Sequence, residues 1–156
     1  MTPEQTLHAL LAHCRPTSLT FSGTLAQQVT GVWQAQQPDL ITHALSTPPN
    51  DTRFPLDRLY DLALLTGTLD TLSARDASLL LGQLRNCGAR QIALLIREDA
   101  ALTFDALIGL GFTRHARFDE EKLDLYAYDI ASYNHKRSWN NAEHWANPQN
   151  WGKYWW

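Results

Sequence analysis

Two short polar stretches, each directly after an apolar segment, have residue types that could bind a ligand. The first follows the run SLTF and the second follows the run YDLALL. Their candidate binding residues are Ser22, Gly23, Thr24, Thr66, Gly67 and Asp70. Free backbone N–H groups and the helix dipole attract anions at a strand-to-helix turn, and open α/β sheets place ligands at the carboxyl ends of parallel strands. We therefore take these six residues as a candidate cofactor-binding site.

Both stretches have an alternative explanation without a ligand. Ser22 or Thr24 would serve as the N-cap of the following helix, and Gly23 alone is a weak signal for a phosphate-binding loop. At residues 66–70, a turn that leads into the next helix explains the sequence as well as a binding role does.

The histidines do not predict a metal site. The chain has six of them, but none forms a pair at helical ligand spacing with a third ligand nearby, and His8 and His13 are five residues apart. No Gly-x-Ser-x-Gly elbow of a hydrolase is present either. We predict no metal and assign no catalytic residue.

Five of the six tryptophans lie in the last eighteen residues, and the first three of these are spaced six apart. They are Trp139, Trp145, Trp151, Trp155 and Trp156. Several asparagines, Pro148 and Gly152 exclude a long helix there. We predict an α/β domain at 1–130 with an irregular arm, 131–156, packed on it because large apolar surfaces are normally buried. An arm that binds a protein partner or a second copy, a platform for single-stranded nucleic acid, and a sugar site are the alternatives.

Composition narrows the classes of partner. Hydrophobic residues make up 44% of the chain and the net charge is -3, which is ordinary for a globular protein and disfavours nucleic acid as a partner. The first residues lack a signal-peptide pattern, and no apolar run approaches the roughly 18 to 20 residues that span a bilayer. We expect a cytoplasmic protein with no membrane contact.

Strands alternate with helices along the chain. Helices are predicted from Pro3, after the run SLTF, from Ser73 and from about Thr103 to Leu110, where Gly111 ends the last one. Strands are predicted at SLTF, LITHAL, YDLALL and RQIALLI, and FTRHARF and KLDLYAYDI form an antiparallel hairpin. This order predicts a mostly parallel sheet with helices on both faces.

Two helices have apolar residues at helical spacing, and these indicate the sides that face the core. The predicted core positions are Leu25, Val29, Val32 and Trp33 in the helix after SLTF, and Leu79, Leu80 and Leu84 in the helix from Ser73.

The stretch YDLALLTGTLDTLSARDASLLLGQLRNCGARQIALLIRE, followed by LIGLGF and the hairpin, resembles the C-terminal half of a class I S-adenosylmethionine-dependent methyltransferase. The matching pieces are Tyr60 with Asp61, the LDTL segment, the helix from Ser73, and Gly111 with Phe112. The match covers roughly residues 59 to 130 and implies a reduced Rossmann-like sheet of the methyltransferase type. The whole chain is similar to a small uncharacterised bacterial family of methyltransferase-like proteins.

The first half of the chain departs from the methyltransferase pattern where the cofactor binds. The superfamily has a glycine-rich loop after the first strand, and here Gly23 stands alone. The superfamily has an acidic residue at the end of the second strand, and here residues 43–46 are His, Ala, Leu and Ser. A proline-rich loop replaces the third strand and its helix.

These departures predict a methyltransferase-like protein that is catalytically inactive, binds no cofactor and acts as a binding or interaction protein. The alternative is an active methyltransferase with a divergent S-adenosylmethionine pocket lined by Gly23, Thr66 and Asp70. The sequence identifies neither a substrate nor a partner.

Overall fold

A computed structural model describes residues 2–46 and 52–129, which alternate between helices and strands of one sheet. The strands are β1 (Ser18–Ser22), β2 (Ile41–Ala44), β3 (Tyr60–Thr66), β4 (Ala89–Arg97), β5 (Thr113–Phe118) and β6 (Leu123–Asp129). The helices are α1 (Pro3–Cys14), α2 (Thr24–Gln36), α3 (Ala74–Cys87) and α4 (Phe104–Gly109). None of the described helices is long and apolar enough to cross a membrane.

The strand order across the sheet is β2-β1-β3-β4-β6-β5. The first four strands are parallel, whereas β6 runs antiparallel to both β4 and β5. The predicted parallel sheet with a closing hairpin is therefore confirmed. Within residues 2–46 and 52–129 no strand lies beyond β2, which agrees with the predicted loss of the third strand.

Three helices begin close to the predicted positions, and each has a hydroxyl residue as its N-cap. Thr2 forms a full capping box with Gln5, and the hydroxyl groups of Ser73 and Thr103 each accept a hydrogen bond from a backbone N–H three residues ahead. At the end of α4, Gly111 has φ 99°, the left-handed conformation that glycine adopts most readily. Local sequence thus fixes these helix ends.

Two predicted core positions are wrong. Val32 is 47% exposed in α2, and Leu79 is 59% exposed in α3. The buried face of α3 consists of Ala77, Leu80, Leu81 and Leu84, and that of α2 includes Ala26 and Thr30. In each helix the true buried face includes a small residue, Ala26 or Ala77, and is rotated slightly from the predicted one.

The core has two halves, one on each side of the sheet. Helices α1 and α2 pack on one face through residues such as Leu7 and Val29. Helices α3 and α4 pack on the other face through residues such as Leu81 and Leu107. Each fully buried leucine contributes about 1.5–3 kcal/mol to folding. This packing holds the carboxyl ends of β1 and β3 side by side.

Candidate functional site

The structure brings the two predicted polar stretches together. Because β1 and β3 are parallel neighbours, with Ser22 opposite Leu65, residues 22–24 and 66–70 meet at the carboxyl edge of the sheet. Thr66 is buried, Asp70 is half-buried, and Gly23, Thr24 and Gly67 are exposed. The six candidate residues thus share one edge of the sheet.

Gly23 is the whole connection between β1 and α2. It has φ 103°, and a Cβ atom at this position would lie 1.8 Å from the carbonyl oxygen of Thr66 and 2.5 Å from its Oγ1. No side chain fits at that distance. The backbone of the turn therefore lies directly against the end of β3.

The hydroxyl group of Thr66 caps α2 from the neighbouring strand. The backbone N–H of Ala26 donates to Thr66 Oγ1 at 2.9 Å, while Gly23, at the N-cap position, has no side chain to offer. The hydroxyl groups of Thr66 and Thr68 both reach the carbonyl oxygen of Ser22 at 3.4 Å. The alternative with Ser22 or Thr24 as N-cap is wrong, because the N-cap position is Gly23. The capping oxygen belongs to Thr66, which is forty positions after Ala26 in the sequence.

Asp70 stabilises the end of another strand. Its Oδ1 accepts a hydrogen bond of 2.9 Å from the backbone N–H of Arg97, the last residue of β4. Gly67, with φ 70°, donates its N–H to the carbonyl oxygen of Leu95 at 3.3 Å. The turn after β3 is thus tied to β4 by two backbone-directed hydrogen bonds.

The end of β2 has an apolar residue where a ribose-binding carboxylate is expected by resemblance. Leu45 is 6% exposed and belongs to the core, and its N–H donates to the carbonyl oxygen of Phe21 at 2.9 Å. Ser46 follows and is exposed. Asp51, the next carboxylate in the sequence, lies outside the described residues.

Asp61, which matches the methyltransferase pattern, lies at the opposite edge of the sheet. Its Oδ2 accepts hydrogen bonds from the backbone N–H and the hydroxyl group of Thr17 at 2.8 and 2.6 Å, and its own N–H donates to the hydroxyl group of Ser18. Burial opposes ionisation, but these hydrogen bonds outweigh it and lower the pKa of Asp61 below its ordinary value. The role of Asp61 is to join the beginnings of β1 and β3.

A polar cluster that the sequence did not predict lies near the β2 edge. Thr20 Oγ1 and His43 Nδ1 are 3.0 Å apart, and the His43 ring stacks on Tyr60 with 5.5 Å between centroids. The Tyr60 hydroxyl group donates to Asp57 Oδ1 at 2.6 Å. Burial is the largest of the causes that raise the pKa of Tyr60 to about 12. The hydrogen bond to Asp57 and the negative charge of Asp57 also raise it. Tyr60 therefore stays protonated and acts as a hydrogen-bond donor, not as a base, near neutral pH.

The remaining predictions concern metals and the tryptophan-rich arm. Within residues 2–46 and 52–129, no three His, Cys, Asp or Glu side chains lie close enough to hold a metal ion. The arm, residues 131–156 with Trp139, Trp145, Trp151, Trp155 and Trp156, lies outside the described residues.

The fold is similar to that of solved methyltransferases. A protein of Nostoc punctiforme PCC 73102 described as an O-methyltransferase matches with a TM-score of 0.52 and 12% identity over 80% of this chain and 55% of its own. The S-adenosylmethionine-dependent methyltransferase SibL in its apo form matches with 0.50 and 13% over 80% and 53%. PigF with S-adenosylhomocysteine matches with 0.50 and 9% over 80% and 56%. At such identity the similarity shows a methyltransferase-like fold alone.

The chain spans only a little over half the length of these three proteins. No curated protein matches its sequence. The profile of one family, DUF6231, a family of unknown function, matches residues 1–156, and the chain belongs to that family.

Proposed function

We propose that this protein is a catalytically inactive relative of the methyltransferases that works as a binding or interaction protein. The observation that carries the proposal is the turn between β1 and α2. It is a single residue, Gly23, whose backbone lies against Thr66. Ligands of open α/β sheets bind in the crevice at this edge, and a one-residue turn provides no loop to surround a nucleoside and an amino-acid chain.

Two further features of this edge support the proposal. The N–H of Ala26, one of the donors at the start of α2 that would face an anion, already donates to Thr66 Oγ1. At the end of β2, the buried side chain of Leu45 offers no carboxylate to ribose hydroxyl groups. The fold would then serve as a scaffold, and its partner would be another protein or a second copy of the chain.

An active S-adenosylmethionine-dependent methyltransferase is the second candidate. It is favoured by the carboxylate of Asp70, which stands half-buried at the carboxyl edge beside the exposed Gly67. In that case S-adenosylmethionine would be the cofactor, held between residues 22–24 and 66–70.

Calorimetric titration of the full chain with S-adenosylmethionine and S-adenosylhomocysteine distinguishes the two candidates. We expect no saturable binding up to about 1 mM ligand, where even a binding free energy of only ~4 kcal/mol would be seen. Micromolar binding of either ligand would overturn the proposal, and its loss in Asp70→Asn would assign the ligand to this edge of the sheet. The asparagine side chain keeps an oxygen for the Arg97 N–H, so this variant removes charge only. Asp39→Asn, which changes an exposed carboxylate away from this edge, is the matched control.

A further inference from the structure

A groove of about 430 Å³ lies between the carboxyl ends of α1 and α2. Its lining residues are Ala12, Arg15, Pro16, Thr17, Trp33 and Gln37. Thr17 directly precedes β1, so the groove is at the amino-terminal edge of the sheet, opposite the carboxyl edge with Gly23 and Thr66.

Trp33 contributes a hydrogen-bond donor without an acceptor. Its Nε1 atom is buried and has no hydrogen-bond partner among the described residues. An indole N–H can only donate, and a buried donor without a partner is unfavourable. Residues 2–46 and 52–129 thus supply no acceptor oxygen for this N–H.

Arg15 contributes an unneutralised positive charge at the same place. It is exposed, ends α1 as its C-cap in the left-handed conformation with φ 46°, and takes part in no salt bridge within the described part of the chain. A guanidinium group stacks favourably on the face of an indole ring. The groove therefore suits an aromatic segment that also has carbonyl oxygens.

The chain itself leaves the sheet at this edge. Asp129, the last residue of β6, pairs with Gln91 near the beginning of β4, and the strands β4 and β3 separate β6 from β1. Three strand spacings amount to about 14 Å, whereas the residues after β6 would reach beyond ~80 Å when extended. Residues 131–156 hold five tryptophans and five asparagines, so aromatic rings and amide oxygens, and not their net positive charge, fit them to the groove.

We infer that the groove between α1 and α2 binds the tryptophan-rich segment 131–156 of the same chain. One indole ring packs against the Arg15 guanidinium group, and the partly buried Trp33 ring turns so that its Nε1 donates to an amide or backbone carbonyl oxygen of the segment. The inference concerns a different edge of the sheet from the proposed function and does not depend on whether S-adenosylmethionine binds.

Hydrogen–deuterium exchange of the full chain tests this inference. Trp33→Phe keeps an aromatic ring and removes the N–H, and Arg15→Asn removes the charge while tolerating the left-handed backbone. We expect amides of residues 131–156 to be protected in the parent chain and to exchange roughly three- to tenfold faster in each variant, as the loss of one hydrogen bond or cation–π contact predicts. Lys122→Asn is the matched control, since Lys122 is the other described non-glycine residue at positive φ, with φ 56°.

Each remaining outcome overturns the inference. Unprotected amides in 131–156 of the parent chain would exclude docking, and protection unaffected by either variant would exclude this groove. Protection that grows with protein concentration would assign the groove to a second copy. Exchange of the β3 amides reports on global stability. If Trp33→Phe also speeds their exchange, that variant has lost stability as a whole, and the result for Arg15→Asn alone tests the inference.

Discussion

Gly23 determines the shape of the carboxyl edge. Gly23 was a candidate because free backbone N–H groups at a strand-to-helix turn attract anions, yet in the structure it lies against Thr66 at the end of β3. Its left-handed backbone would cost a residue with a side chain about 1–3 kcal/mol even in open space. The same residue type therefore served a structural need that only the tertiary contact reveals.

Replacement of Gly23 by alanine is predicted to destabilise the fold by about 3 kcal/mol or more, since backbone strain and a collision with Thr66 act together. Gly31→Ala in α2 is the control, because no atom lies within 4 Å of a Cβ there. That change should raise the free energy of unfolding by about 0.5–1 kcal/mol. Urea denaturation measures both, and a Gly23→Ala protein as stable as the parent would contradict the described turn.

At the scale of elements, α2 differs from the other helices in how it begins. The caps of α1, α3 and α4 were predictable because each cap lies within three residues of the N–H it accepts from. The cap of α2 comes from Thr66 in β3, and no local pattern predicts an interaction across forty residues. The errors at Val32 and Leu79 have a similar origin, since the packing of a helix on its sheet decides which side is buried.

Thr66→Val should weaken α2 without changing the shape of the core. The isosteric methyl group cannot accept from the Ala26 N–H, so we expect a loss of about 1–2 kcal/mol in the free energy of unfolding. Thr66→Ser keeps the hydroxyl group and should retain most of that stability. Equal stability of the valine and serine variants, measured by urea denaturation, would show that the cap contributes nothing.

For the whole molecule, the order of elements and the mostly parallel sheet were predictable, because apolar runs and helix caps are local signals. Residues 131–156 have neither helical nor strand periodicity, so the prediction for them went no further than an irregular arm packed on the domain, and it lies outside the described residues. The Thr20, His43 and Tyr60 cluster was missed for a further reason. Its members come from three strands, and only their register places them together.

Tyr60 gives the fold a specific response to alkaline pH. Its pKa is raised from 10.0 to about 12, so between these values the folded chain holds a proton that the unfolded chain has released. The contribution is complete below pH 10 and is lost as the pH rises toward 12. Tyr60→Phe should therefore lose stability less steeply than the parent chain across this window, as measured by urea denaturation at several pH values. Parallel pH profiles would contradict the raised pKa.

The position of β6 in the sheet has a consequence for biosynthesis. β6 is the last described strand in the chain, yet it lies between β4 and β5. While the ribosome is still adding residues after β4, the strands β1, β2, β3 and β4 can already pair, but the outer edge of β4 stays open. That edge belongs to a run of buried apolar residues, Ile92 to Ile96. An open apolar edge pairs readily with other chains, so we expect the nascent protein to aggregate most easily before β6 emerges.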